Sequence, residues 1–518
     1  MRIMRAALAA GCVLTASIPA RAQRGGDWTT VGNDAQRSYW ARGDGKISPQ
    51  AIAKPGFQLA WKVKLKGEPR QMQSVTPPAL LDFFIGHRGF RALGFFGNGS
   101  GAMTGIDTDL SRIEWERNIA GGTRNGTIPC PGGVTSPLSR PTSLGYPGSF
   151  AGRGGRGTPA KSGVGEAFEG AVTIRAQTPP PAPPPPPPSA RRSAPAPNPF
   201  ARQPQYVYAI DAEGKLHAMY VSNGDEPNPA VNFLPAGSNA QGLLVSGNTA
   251  YAATANGCAG STDAVWAIDL ESKMARSWKA SGHVAGIAGM AFTPDGLIVV
   301  AAGSELAVVD SANMEKKGAY SASEAFTSSP VVFEYKGKDL AAATTAGKLV
   351  VINAASPGAL LAQTDLPGAG YATGALSSWQ DAAGVRWILA PVGGASGPKS
   401  GAIMAWRLVN SGSGMALESG WSAGGMVSPL PPAVVNGVVF AVSSGENRDA
   451  KASAAERARK SVPAVLYAID GSSGKTVWNS GSTIASFVRT GGLAAGGGHV
   501  YVGAHDGTQY SFAFPMEY

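Results

Sequence analysis

One short phrase recurs along the chain, and this repeat limits the fold more than any other feature of the sequence. The clearest copy is YAIDGSSGKTVW at 467–478, where an apolar run ends at Asp, a polar turn follows, and the next run reaches Trp. The other copies end or begin near Trp115, Tyr208, Trp278, Tyr320, Val351 and Trp421. The intact spacings are about forty to sixty residues, a period typical of propellers and other repeat arrays.

Each copy predicts two strands joined by a tight turn, because Asp and Gly accept turn geometry. A further pair of short apolar runs precedes the phrase, as in GLLVSGNTAYAAT at 242–254 and PPAVVNGVVFAVS at 431–443. Four strands per unit at this period favour a β-propeller over a sandwich, which would lack the regular phrase. The aromatic residue that ends a copy is expected to cover the seam between neighbouring units.

The count of units predicts an all-β, eight-bladed propeller. Three strands remain after Trp478, and the run FQLAWKVKL at 57–65 reads as an outer strand with no strands before it. Joining this N-terminal strand to the C-terminal three completes the last blade and leaves no open sheet edge. Seven blades is the alternative, because the second unit is interrupted. The units are expected to end near Trp115, Tyr220, Trp278, Tyr320, Gln363, Trp421 and Trp478.

The N-terminus predicts export. A basic MRIMR, a short apolar region and an Ala-Arg-Ala cleavage site indicate a signal peptide at 1–22, with a lipoprotein anchored at Cys12 as the alternative. No later stretch is long enough to span a membrane. We therefore expect a periplasmic or secreted, soluble monomer, with a lead-in segment at 23–56 and a propeller at 57–518.

Two insertions interrupt the predicted propeller. The first, at about 143–204, is so rich in Gly and Pro that we expect a disordered loop or tether. The second, at about 446–462, is charged and helix-prone, and we expect it to form a loop helix on one face.

Composition narrows the chemistry. The formal net charge of +10 falls to +7 once Arg2, Arg5 and Arg21 leave with the signal peptide, since 10 − 3 = 7, and this mild excess does not indicate nucleic-acid binding. Loss of Cys12 leaves Cys130 and Cys258, which an oxidising compartment would favour as a disulfide; two unpaired cysteines are the alternative. The histidines show no HxH or HExxH spacing.

The repeat and the lead-in segment together resemble the pyrroloquinoline-quinone (PQQ) propeller family, the quinoprotein alcohol dehydrogenases and their relatives. The lead-in carries Trp28, Gly32, Asp34 and Arg37, and then Ile47, Ile52 and Trp61, in the order of that family. The resemblance implies a propeller, and it allows PQQ with Ca²⁺ as cofactor. The same fold also serves a non-enzymatic scaffold of outer-membrane protein assembly.

The chain departs from the dehydrogenase pattern. It has no adjacent cysteine pair and no CxxCH haem motif, and the metal-binding Glu, Asn and Asp of the family have no clear match. The first hypothesis is therefore an exported binding or scaffold module without catalysis. The alternative is a periplasmic PQQ-dependent dehydrogenase that oxidises an alcohol or a sugar.

The start of each inner strand is the place to look for a site, because these segments converge on one mouth of the central channel. A small molecule or a periplasmic protein is the expected partner there. Arg140 and Arg489 are the leading candidates, since a guanidinium can donate two hydrogen bonds to a carboxylate or bind a quinone oxygen. A structural salt bridge between blades is the alternative for both. A Cys130–Cys258 bridge would tie blades at the same face. The candidates are Gln73, Thr135, Arg140, Gln241, His283, Thr327, Tyr371, Ser428 and Arg489.

Overall fold

The structure is a computed structural model, and it shows the predicted ring of eight blades. It describes residues 27–67, 75–86, 89–119, 126–134, 136–147, 205–368, 374–393, 400–412, 414–489 and 493–515. The predicted signal peptide and residues 148–204 of the first insertion therefore lie outside them.

The first half of the chain builds four blades. Before them come strand β1 (Trp40–Ala41), helix α1 (Pro49–Ile52) and strand β2 (Gln58–Lys64). Blade 1 consists of β3 (Ala79–Gly86), β4 (Gly89–Gly97), β5 (Ala102–Asp107) and β6 (Arg112–Asn118). Blade 2 consists of an inner segment at Ser139 and Arg140, which bridges to β7, followed by β7 (Tyr206–Ile210), β8 (Lys215–Tyr220) and β9 (Val231–Asn232). Blade 3 consists of β10 (Asn239–Ser246), β11 (Thr249–Ala255), β12 (Ala264–Asp269) and β13 (Ala275–Lys279). Blade 4 consists of β14 (Met290–Phe292), β15 (Leu297–Ala302), β16 (Glu305–Asp310) and β17 (Lys316–Ser321).

The second half builds the other four. A short strand β18 (Ser328–Ser329) precedes blade 5, which consists of β19 (Val331–Tyr335), β20 (Lys338–Thr344), β21 (Lys348–Asn353) and β22 (Ser356–Asp365). A second short strand, β23 (Gly374–Ala375), precedes blade 6, which consists of β24 (Ser377–Gln380), β25 (Arg386–Val392), β26 (Gly401–Ser411) and β27 (Gly414–Met426). Blade 7 consists of β28 (Ala433–Val435), β29 (Val438–Ser443), β30 (Val465–Asp470) and β31 (Thr476–Asn479), with helix α2 (Ala454–Lys460) between β29 and β30. Blade 8 consists of β32 (Leu493–Gly496), β33 (His499–Gly503), β34 (Thr508–Ala513) and the N-terminal strand β2.

The N-terminal strand closes the ring, as the sequence predicts. Strand β2 pairs antiparallel with β34, from Gln58 opposite Ala513 to Lys64 opposite Thr508. None of the helices in the described ranges has the length and apolar character that a membrane span needs.

The alternating strand directions define two faces. The connections between blades and the turns between second and third strands lie on one face, which we call the mouth face because the inner strands begin there. The other turns of each blade lie on the opposite face. Helix α2 belongs to a connection between second and third strands, so it lies on the mouth face.

Residues 28–44 fill the central channel, and we call this segment the plug. Successive plug residues hydrogen-bond to successive blades, so that one short segment with several turns contacts the whole ring. The contacts with blades 1 to 4 are Leu80 N to Trp28 O, Arg140 N to Thr29 O, Thr30 Oγ1 to Leu243 O and Phe292 N to Ala35 O. The contacts with blades 5 to 8 are Val332 N to Gln36 O, Ser378 N to Ser38 O, Val434 N to Tyr39 O and Gly498 N to Asp44 Oδ2.

Arg37 lies at the centre of the plug and is fully buried. Its guanidinium donates to Met290 O (2.8 Å) and Gly242 O (2.6 Å), which belong to neighbouring blades, and to Thr30 Oγ1 and Val31 O within the plug. Burial lowers the pKa of Arg37 to about 10, which leaves the side chain charged at neutral pH. One side chain thus fixes the plug against blades 3 and 4.

Tryptophan indoles join neighbouring blades, as expected for the residue that ends the phrase. Trp115 Nε1 donates to Val221 O of blade 2 (3.0 Å), and Trp421 Nε1 donates to Gly471 O of blade 7 (2.8 Å). Each ring lies against a glycine with positive φ, Gly224 or Gly474, where a Cβ atom would approach the indole within 3 Å. Glycine is therefore required in these turns both for φ and for room.

Blade 2 corrects one expectation. The phrase that begins at Tyr208 was expected to form the last two strands of its blade, but it forms β7 and β8, which are the second and third. Tyr208 bridges to Ser139 on the inner side, and β9 follows as the outer strand. The expected end of this unit at Tyr220 is therefore wrong, because the same Asp-containing tight turn serves a different hairpin here.

The beginning of the first insertion is packed against the opposite face. Gln36 Nε2 donates to Leu144 O (2.6 Å), Tyr146 donates to Asp339 Oδ1 (2.7 Å), and Arg42 donates to Pro147 O. The chain therefore crosses from blade 2 towards blade 5 and covers part of the plug before residue 148.

We expect Arg37→Met to lower the free energy of unfolding by about 3 kcal/mol or more, since it leaves several buried acceptors without a donor. Denaturant unfolding followed by tryptophan fluorescence measures this loss. Arg407→Met is the matched control, because Arg407 is 44% exposed and pairs with an exposed Glu418; its loss should stay within about 0.5 kcal/mol. Equal losses in the two variants would contradict a central role for Arg37.

Candidate binding site on the mouth face

Six of the nine candidate residues are described by the structure: Arg140, Gln241, His283, Thr327, Ser428 and Arg489. The other three, Gln73, Thr135 and Tyr371, lie outside the described residues. The six do not form one cluster. Ser428 and Arg489 meet at a shared partner, whereas the remaining four make separate contacts.

Arg140 connects the plug region to blade 1. Its guanidinium donates to Asp27 Oδ2 (2.6 Å) and to Leu80 O (2.9 Å), and its backbone amide donates to Thr29 O. The side chain is buried. These contacts are those of the structural salt bridge that the sequence left open as the alternative.

A disulfide between Cys130 and Cys258 lies on the mouth face, as predicted. Cys130 belongs to the connection between blades 1 and 2, and Cys258 belongs to the turn between β11 and β12 of blade 3. Nearby, His283 Nδ1 contacts Asp263 Oδ2 at 3.1 Å while 75% of its side chain is exposed. Gln241 makes a long contact of 3.4 Å with Asn239.

The mouth is tightly packed between blades 4 and 6. Thr327 bonds to the backbone oxygens of Thr344 and Thr345, and the adjacent β18 pairs in parallel with β23. A Cβ atom on Gly286 would lie 2.0 Å from Ser329 N and 2.2 Å from Gly374 O. The inner-strand starts of these blades therefore touch one another and leave no room between them.

Ser428 and Arg489 converge on Glu446, which begins the second insertion and is only 3% exposed in its side chain. We call Glu446, Arg448, Arg457 and Arg489 the arginine cluster. Glu446 Oε1 accepts from Arg457 Nη2 (3.1 Å), and Oε2 accepts from Arg448 Nε (3.1 Å). Arg489 Nη1 lies 3.6 Å from Oε1. Three guanidinium groups thus surround one carboxylate.

Backbone contacts hold this cluster in place. Ser428 Oγ donates to Glu446 O (2.9 Å), and Arg457 Nε donates to Asn447 O (2.9 Å). Helix α2, which carries Arg457, begins with a capping box between Ser453 and Glu456. The cluster is therefore built on an anchored helix and an anchored loop.

Burial lowers the pKa of Arg489, because the guanidinium loses water. The charge of Glu446 raises this pKa, and the charges of Arg457 and Arg448 lower it. The carboxylate therefore offsets only part of the electrostatic cost of bringing three cations together.

Sequence reasoning singled out Ser428 and Arg489 but not Glu446, Arg448 and Arg457. These three lie in the second insertion, for which the sequence predicts a loop helix on one face but no binding residues. The signal that could have found them is the capping box Ser453–Glu456 followed by Arg457, which orients a basic helix next to Glu446.

The buried carboxylates of the mouth face test whether a Ca²⁺ site of the dehydrogenase kind fits the chain. Among the described residues they are Asp211, Asp263 and Glu446. Asp263 accepts from three backbone amides and contacts His283. Both carboxylate oxygens of Glu446 accept hydrogen bonds from arginines. Asp211 accepts from two backbone amides and contacts His217. Calcium needs carboxylate oxygens that are free to bind it, so these residues do not fit such a site. No group of three or more His, Cys, Asp or Glu side chains within the described ranges could hold a metal ion.

The fold is that of the PQQ-type propellers, which confirms the resemblance drawn from the sequence. The quinohemoprotein alcohol dehydrogenase from Comamonas testosteroni is similar over 95% of this chain and 82% of its own, with a TM-score of 0.59 and 12% identity. A europium-containing methanol dehydrogenase is similar over 94% and 98%, with a TM-score of 0.56 and 10% identity. BamB from Moraxella catarrhalis is similar over 89% and 99%, with a TM-score of 0.48 and 11% identity. No family model and no curated protein sequence matches the chain.

We expect Cys130→Ser, Cys258→Ser and the double variant to lose the same stability, about 2–4 kcal/mol, because each opens the same cross-link. The bridge joins positions 128 residues apart, and its loss frees the unfolded chain. Thermal unfolding measures the effect. Reduction of the wild-type protein should reproduce it, and a reduced wild type as stable as the oxidised one would contradict the role of the bridge.

We expect His217 to make the stability of the fold depend on pH. Its ring lies between Glu226 Oε1 (2.9 Å) and Asp211 Oδ2 (3.1 Å). Burial lowers the pKa of His217, but the hydrogen bonds and charges of these carboxylates raise it more, so the folded value lies above 6.5. The charged His217 ring therefore stabilises the folded protein fully below about pH 6.5, and this contribution is lost as the pH rises through the pKa of His217 in the folded state.

The stability difference between wild type and His217→Gln should therefore be largest at about pH 6 and should narrow towards pH 9. Denaturant unfolding across this range measures it. The exposed His283 provides the control, and His283→Gln should cost less at each pH. A difference that widens with rising pH would show that the neutral ring is the stabilising form.

Proposed function

We propose that this protein is an exported propeller without catalysis that binds a ligand or a partner protein on its mouth face. The observation that supports this proposal is the state of the buried mouth-face carboxylates. Each is already engaged by backbone amides, a histidine or arginines, while the arginine cluster carries more cations than anions. Such a face suits recognition of an external group better than the binding of a quinone-polarising cation.

The disulfide supports export, because bridges of this kind persist in oxidising compartments. Together with the N-terminal pattern of the sequence, it favours a periplasmic or secreted protein.

A PQQ-dependent dehydrogenase for an alcohol or a sugar is the second candidate. The lead-in residues favour it, since Trp28, Gly32, Asp34 and Arg37 keep the family order and form the plug. If PQQ and Ca²⁺ bind, the cofactor supplies the oxidising chemistry, and it would have to find its ligands apart from the three engaged carboxylates.

Titration of the purified mature protein with PQQ and Ca²⁺ separates the two candidates. We expect no saturable change in cofactor absorbance or heat up to high micromolar PQQ, with circular dichroism to show that the sample is folded. An apo-quinoprotein dehydrogenase treated in the same way is the positive control. Tight binding followed by dye reduction with an alcohol or a sugar would overturn the proposal in favour of the dehydrogenase.

A further inference from the structure

Arg489 differs from the other members of the arginine cluster in its hydrogen bonding. Arg457 and Arg448 donate to the two oxygens of Glu446 at 3.1 Å each. Arg489 Nη1 stands 3.6 Å from the carboxylate, beyond hydrogen-bonding distance, and is buried without a partner in the part of the chain that the structure describes. A buried donor without an acceptor is costly, and more so on a charged group.

The charges of the cluster are a second reason to expect a missing anionic partner at Arg489. Within the cluster one carboxylate, that of Glu446, faces three guanidinium groups in a partly desolvated place, so the cations outnumber the anion there. Water screens these charges poorly, since the side chains of Arg489 and Arg457 are only 17% and 11% exposed. An anion held there would meet a strong field and could offset this excess.

The site borders the surface, and its surroundings are fixed. Nη1 of Arg489 is buried, but 17% of the side chain is exposed, so a ligand would reach the guanidinium from that exposed part, while helix α2 and the Ser428–Glu446 contact hold the surrounding groups in place. A fixed guanidinium fork favours ligands with two oxygens on one centre, which are carboxylates and phosphates.

We propose that the arginine cluster binds a small dianion, a dicarboxylate or a phosphate, with Arg489 as the group that grips it. This inference rests on the proposed function, because it names the ligand chemistry of the same mouth face. The dianion would accept from Arg489, whose Nη1 has no hydrogen-bond acceptor among the described residues, and would leave the pairs that Glu446 makes with Arg457 and Arg448 intact.

Isothermal titration of the folded full-length mature protein with succinate and with inorganic phosphate, at low ionic strength, tests the proposal. We expect saturable one-to-one binding of at least one probe, and weakening as salt is added. Tighter binding of succinate would indicate a dicarboxylate as the source of the anion, and tighter binding of phosphate would indicate a phosphate compound. Absence of binding by both probes would overturn the inference.

Variants locate the site. Arg489→Gln should raise the dissociation constant at least about tenfold, because it removes a charge-assisted hydrogen-bond donor. Arg459→Gln is the matched control, since it removes the same charge from the exposed side of α2 and should change the constant less than about twofold. Arg489→Lys keeps the charge but not the planar guanidinium, so its dissociation constant should lie between those of Arg489→Gln and Arg459→Gln. It also serves if Arg489→Gln does not fold.

Equal weakening by Arg489→Gln and Arg459→Gln would show non-specific attraction to a basic surface and would overturn the inference. That result would leave the proposed function untouched, because the PQQ titration tests it separately. Conversely, tight PQQ binding would overturn the proposed function even if succinate or phosphate also bound at Arg489.

Discussion

In a propeller, the inner edge of every blade faces the central channel, and the backbone amides along that edge need acceptors. Here a single N-terminal segment supplies acceptors, because backbone oxygens of the plug between Trp28 and Tyr39 accept from inner-strand amides of blades 1, 2 and 4 to 7. Each amide left unpaired would cost about 1–3 kcal/mol. Arg37 adds side-chain bonds to blades 3 and 4 and so fixes the position of the plug in the channel. The inner edges of the blades therefore depend on this filled centre for their hydrogen bonds.

Much of the fold could be predicted, because its two strongest signals are local. Tight turns need Asp and Gly, and the seam between blades needs a large aromatic residue, so both leave a repeated pattern. The same local character explains the error in blade 2. The turn at Asp211 has the chemistry of the other phrase turns, with the carboxylate accepting from Glu213 N and Lys215 N, yet it joins the second and third strands. Turn chemistry specifies a hairpin, whereas the rank of that hairpin in its blade depends on distant pairing with Ser139.

The site was less predictable, for a different reason. Position along an inner strand indicates which residues lie near the mouth, and this rule led to Ser428 and Arg489. The rule does not apply to side chains of an insertion, and Glu446 and Arg457 both belong to the second insertion. The charge balance around Arg489 arises only when a loop of blade 7 meets the connection to blade 8. These elements are far apart in the sequence, so no sequence pattern predicts their electrostatic interaction.

Closure of the ring by strand β2 has a consequence for how the protein is made. Asp44 of the plug accepts from Gly498, which follows 454 residues later, and β2 pairs with the last strand of the chain. Contacts of such long range slow folding, because the intervening chain must be ordered first. The plug and β2 are therefore among the first described parts to be synthesised and the last to find all their partners. Until the last blade exists, β2 has no partner strand, and the carbonyl oxygens of the plug lack part of the inner strands to which they bind.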